Sequence, residues 1–548
     1  MEYYDLGSYS RPVSTASAEA QLWFDRGLAW TYGYNHEEAI ACFRRALEAD
    51  PGCAMAQWGI AYCAGPNYNK PWVAFEAPEK PECVAMAQSA IAAAQARLDQ
   101  CTPVERALIE AIATRYPDTA DVEDFGPWHD AFAEAMRQVW TGHRDDPDIC
   151  AIFAEALMNR TPWQLWDLPS GQPAAGADTL EAISVLEAAF DDLPGAWQHA
   201  GLLHMYIHLM EMSPHPERAL RHGDALGALV PDAGHLLHMP THIDVLCGDY
   251  VNVVLRNEAA IEADRKFLAR DGADNFYSVY RCHNYHFRIY GAMFLGQPAK
   301  ALASAEELVA TLPEATLRPL ADWFEGFIPM KQHVLIRFGR WQDILDQDLP
   351  EDPELYCVTL AMMRYARTVA LANLGRIDDA KAEKDAFEQA LARVPESRML
   401  FNNTCRDILS VAEQMMLGEL AYHAGAHDTA FAHLRRAVEI DDALPYDEPW
   451  AWMQPTRHAL GALLLEQGQV AEAEAVYRAD LGLDATLSRA CQHPGNVWSL
   501  HGLHECLTRR GETAEARHIK LQLDKAAARA DVAVKASCYC RGRLAAAE

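Results

Sequence analysis

Positive charge is scarce in this sequence. Its 47 Lys and Arg stand against 78 Asp and Glu, a formal charge of −31 over 548 residues. A surface of that sign repels phosphate backbones and anionic headgroups, which argues against nucleic acid and membranes as partners. Long apolar runs are missing as well, so no membrane-spanning helix is expected. The opening MEYYDLGSYSRPVSTASAEAQ has no basic segment leading into an apolar one, so no signal peptide is expected. The 14 cysteines form no paired framework, which fits a reducing, cytoplasmic setting. One close pair, Cys538 and Cys540 in SCYCRG, reads either as two free thiols on a loose tail or as a soft-metal or redox tail. Several catalytic words are also absent: no P-loop, no dinucleotide glycine motif, no serine nucleophile elbow and no HExxH.

Strand signals are few, and helical periodicity runs nearly throughout, as in EEAIACFRRALEADP and AEAEAVYRADLGLD. A second-helix pattern recurs after a turn glycine: GDYVNVVLRNEAAIEAD at Gly248, GQPAKALASAEELVATLP at Gly296, GRWQDILDQDLP at Gly339 and GRIDDAKAEKDAFEQAL at Gly375. It returns at Gly425, Gly468 and Gly511, and a related unit lies near Asn35. Glycine permits the tight turn between paired helices. These words resemble the tetratricopeptide repeat superfamily, whose period is about 34 residues. The resemblance implies an all-α solenoid of helical hairpins, about eight or more repeats, able to close into a ring-like superhelix. The expected layout is a repeat-like unit over 1–64, a helical segment with Pro/Trp/Asn loops over 65–195, the main array over 196–530 and a tail over 531–548. GPNYNKPW and NRTPWQLWDLPSGQP read as loops packed on the array.

Against that background one word occurs twice. HMYIH holds His204 and His208; HMPTH holds His238 and His242. Both pairs are spaced i, i+4, and 34 residues separate each histidine from its counterpart. Two imidazoles at that spacing share one helix face and can chelate one ion, and two neighbouring helices roughly 10 Å apart can converge on it. Counting back from the turn glycines, or from Pro214 where the earlier unit has no glycine, puts His204, His238, His286, His458 and His501 at one register position. His208, His242, Tyr290 and His333 fall four residues later, and His235 and His283 three earlier. These positions make one stripe on the first helix of each unit. In the superfamily resembled, that stripe faces the concave groove where ligands bind.

The expected metal ligands are therefore His204, His208, His238, His242 and His286, around one transition ion. Imidazole donors suit zinc, copper, iron or nickel. Nearby Met205, Met210, Met212 and Met239 hint weakly at copper, although methionine at helical spacing more often fills a core. Glu211, three residues after His208, is the candidate catalytic base, with a ligand or second-shell role open. His235, His283, Tyr290, His333, Trp452, His458 and His501 are expected to line a substrate site. Pro240 either kinks the helix within the cluster or marks its start.

GHLLHMPTHI, SPHPERAL, HNYHF and HPGNVWSLHGLHECL look similar to words in a subgroup of large bacterial repeat proteins. That similarity supports the fold and supplies no reaction. Three readings stay open. The first is a metal-dependent enzyme acting on a small molecule in a His-lined lumen, by hydrolytic, lyase or oxidative chemistry. The second is a scaffold that binds a peptide or protein partner in the groove, and the third is a metal carrier or sensor.

Overall fold

The computed structural model describes residues 3–542. The fold is all-α. Among the described residues the strands are two two-residue hairpins, Trp166–Asp167 with Gln172–Pro173 and Met399–Leu400 with Asn403–Thr404. The chain forms two compact units. The first runs to Ile243 and takes in Ala259–Tyr277; the second takes Asp244–Glu258 and everything from Ser278 on. This division cuts across the main array expected over 196–530.

Within each unit, helices adjacent in sequence pack against each other in pairs. In the first, Ala18–Tyr32 lies on His36–Ala49, Ala54–Cys63 on Glu79–Gln95, and Pro147–Met158 on Thr179–Asp192. In the second, Cys357–Asn373 pairs with Ile377–Leu391, Cys405–His423 with His427–Asp442, and Thr456–Glu466 with Val470–Asp480. Val497–Arg510 with Thr513–Ala527 follows. The paired helices approach closely where glycine faces a ring. A Cβ at Gly27 would lie 2.6 Å from the Phe43 ring, and one at Gly461 would lie 2.5 Å from the Tyr477 ring. Any larger residue there would push the hairpin apart.

The turn glycines do what the sequence implies. Gly248, Gly296, Gly339, Gly375, Gly425, Gly468 and Gly511 have φ between 64° and 85°, and a helix starts two residues after each. The first hairpin is different. The equivalent position, one residue before the cap Asn35, holds Tyr34 at φ 56°. Left-handed backbone strains a side chain with a Cβ by roughly 1–3 kcal/mol.

The reading of Cys538 and Cys540 as free thiols on a loose tail is corrected. Both are buried, and they are bonded to each other. The segment docks through Ser537, whose carbonyl accepts from Arg337 (3.1 Å) and whose hydroxyl donates to the His458 carbonyl (2.8 Å). Residues 543–548 of the expected tail lie outside the described residues.

Candidate metal centre

The His-rich words of the first unit meet in its interior. Helix Ala200–Glu211 is capped by His199, whose Nδ1 accepts from the Leu202 amide (3.1 Å). The 3.6-residue period then puts His204, His208 and Glu211 on one face. The second word is split. One helix spans Gly234–His238, and the next begins at Pro240, a position where the missing N–H of proline costs nothing. Met239 between them keeps helical backbone (φ −49°, ψ −38°), so His238 and His242 share a face, with 2.8 Å between their Nε2 atoms.

Hydrogen bonds fix the ring orientations. The Tyr32 carbonyl accepts from His204 Nδ1 (2.7 Å). Glu211 takes both of its oxygens to imidazoles: Oε1 to His208 Nδ1 (3.0 Å) and Oε2 to His242 Nδ1 (2.7 Å). Carbonyl and carboxylate oxygens only accept, so all three rings carry their proton on Nδ1. The Nε2 atoms of His204 and His208 are buried with no hydrogen-bond partner. His204, His208 and His235 each offer a ligand nitrogen, all within 4.8 Å of one another. Asp148 accepts from the Tyr32 hydroxyl (2.5 Å), Tyr9 (2.7 Å), Arg11 (2.6 Å) and His199 (3.1 Å), which anchors both the residue that holds His204 and the cap of the His204 helix.

Burial is nearly complete. His204, His208, His238 and Glu211 are 0% exposed, His235 1% and His242 2%. Burial, then neighbouring imidazoles, hold His204, His208 and His235 well below the ordinary value of 6.5, so they stand neutral with lone pairs available. Buried neutral imidazoles, with His204 and His208 anchored at the far ring nitrogen, match how proteins present histidine to a transition metal. The residues fit such an ion. The methionine hint toward copper weakens, because Met205 Sδ accepts from the Tyr34 hydroxyl (3.4 Å).

The expected groove stripe is thus an enclosed one here. Tyr34 packs on His204 (4.6 Å between ring centroids), His208 (5.9 Å) and His235 (5.8 Å). The two segments read as irregular loops supply the roof: Tyr68 lies 4.9 Å and Trp163 5.9 Å from His208. None of these three aromatics was singled out from sequence. Tyr34 had a signal, since it stands where later turns carry glycine. Among the described residues the non-glycines with positive φ are Tyr34, Trp163 (60°) and Phe401 (50°), and each touches a histidine of the stripe. Backbone strain of this kind clusters at functional sites.

The remaining expected site residues belong to the second unit. His283 packs on Phe401 (4.7 Å), and His286 lies between Phe327 (5.6 Å) and Phe401 (6.4 Å). Tyr290 stacks near Phe294 (4.5 Å), and His333 meets Trp452 edge-on (4.8 Å). His458 is fully committed: it accepts from Arg337 at Nδ1 (2.8 Å) and donates from Nε2 to Asp480 (3.0 Å). His501 is half-buried.

Residues 20–53 match a family model described as tetratricopeptide repeat. No curated protein matches the chain. Among solved structures, the crystal structure of the APC/C hetero-tetramer Cut9-Hcn1 is similar at 12% identity, covering 89% of this chain and 76% of that one, with a TM-score of 0.32. The structure of Naa15/Naa10 bound to HypK-THB is similar at 14% identity, covering 94% and 70%, with a TM-score of 0.21. Likenesses this distant carry no argument about this chain's partners.

Proposed function

We propose that this chain is a helical-repeat scaffold whose first unit holds one transition-metal ion, zinc, copper or iron, on His204, His208 and His235. The observation that carries the reading is the pair of buried, unpartnered Nε2 atoms on His204 and His208, each on a ring anchored through Nδ1. Unsatisfied polar atoms are costly in a protein interior, and three neutral imidazoles side by side have a natural occupant in a cation.

A closed centre favours a scaffold over the two other uses. A metalloenzyme keeps an open coordination position that substrate reaches, and a carrier needs exchangeable ligands. Here the ligands are 0–1% exposed and roofed by aromatic rings. Glu211 is also poorly placed as a general base, with both oxygens already accepting from imidazoles. Catalysis on a small molecule therefore ranks behind the scaffold. The tetratricopeptide match at residues 20–53 favours a peptide or protein as what the scaffold binds.

The test is thermal melting of chelator-treated protein titrated with each candidate ion. An ion at about 100 times its Kd stabilises the folded state by about 2.7 kcal/mol. A rise in Tm that a His204→Ala/His208→Ala variant lacks supports the reading; no rise with any ion rejects it.

A further inference from the structure

Resting on that metal reading, we propose that Glu211 is the positioning residue of the centre. Its carboxylate sets the tautomers of His208 and His242, so that the lone pair of His208 faces the ion while His242 stays outside the ligand set.

Glu211 bridges two imidazoles 34 residues apart, through separate oxygens at 3.0 and 2.7 Å. One of them, His208, has a free Nε2 beside His204 and His235. The other, His242, has its Nε2 already facing His238 Nε2 at 2.8 Å. With the His242 proton on Nδ1, that Nε2 can only accept, so His238 donates to it. One carboxylate thus holds two neighbouring helices in register, and only one of its two imidazoles presents a lone pair to the trio. Each Glu211 oxygen already accepts from one imidazole, which is the arrangement of a carboxylate that orients two rings. A carboxylate that orients metal-facing imidazoles needs no bond to the ion itself.

Cobalt(II) is the probe, because its visible absorption reports the donor atoms directly. Untagged, chelator-treated full chain is titrated with Co(II), beside Glu211→Gln and Glu211→Asp. A glutamine offers N–H groups where one Nδ1–H needs an acceptor, so one ring must turn its proton toward the ion. Glu211→Gln is expected to bind about 10–100-fold more weakly, with the band positions of the wild type at saturation. Glu211→Asp keeps both acceptors and is expected within about tenfold of wild type, again with unchanged bands.

Shifted bands at saturation in either variant would make Glu211 a ligand and overturn the proposal. Unchanged affinity in Glu211→Gln would overturn it as well. Should Glu211→Gln not fold, the bands of Glu211→Asp decide alone. Wild-type protein that takes up no Co(II), zinc or copper would instead remove the metal reading on which the proposal rests.

Discussion

His238 and His242, one helical turn apart in the chain, face each other nitrogen to nitrogen at 2.8 Å. The contact has a direction, since His242 donates from Nδ1 to Glu211 and must accept at Nε2. In the proposed centre this pair stands behind the ligands, although His242 also lies with His208 and Glu211 in a second close group of ligand atoms. His238→Ala is expected to retain bound metal while losing about 1–3 kcal/mol of stability, the cost of an unsatisfied buried group. His204→Ala is expected to lose the metal. Elemental analysis and urea unfolding of the two variants separate the cases.

Tyr34 takes the left-handed turn position that glycine fills in seven later hairpins. Tyr34→Gly relieves roughly 1–3 kcal/mol of strain but removes a buried ring whose loss costs about 3–5 kcal/mol. The net expectation is a cooperative fold weakened by roughly 1–3 kcal/mol, with weaker metal binding, read by calorimetry and metal titration. A Tyr34→Gly protein that binds metal as tightly as wild type would detach Tyr34 from the site.

These particulars mark what the sequence made legible. The hairpins were, because glycine at the turn and helical periodicity are local properties. The face shared by His204, His208 and Glu211 was, because i, i+4 spacing settles it. The nearness of His235 to His204 and His208 was not, because it depends on side-chain reach between neighbouring helices. The roof was not legible either. Tyr68 and Trp163 lie on irregular segments whose placement is a tertiary matter. Tyr34 stood in view as a tyrosine in a glycine position.

Trp163 is half-buried at the edge of the roof over His208. Trp163→Ala is expected to leave the fold intact and to speed metal loss to a chelator by about tenfold or more, since burial of the ligands is what excludes solvent from the centre. A chelator time course checks this. An unchanged rate would mean that the ion leaves by another route.

Stability in acid should carry a contribution from the second unit, beside that of the buried first-unit histidines. Burial lowers His286 and His333 from 6.5 to about 3. As pH falls below 6.5 the unfolded chain binds those protons first, so their contribution is complete above that pH and declines down to about 3. Each histidine adds a slope of up to about 1.4 kcal/mol per pH unit in that window. Urea midpoints of metal-free protein should fall between pH 7 and pH 4. The fall should be shallower in a His286→Gln/His333→Gln variant; an equal slope would contradict the assignment.

The most direct measurement is elemental analysis of untagged protein by mass spectrometry. About one equivalent of a single transition metal per chain is expected, lost in His204→Ala/His208→Ala while the helical content persists. Protein that carries no metal as purified, and takes up none after reconstitution with zinc, copper, iron or nickel, would contradict it.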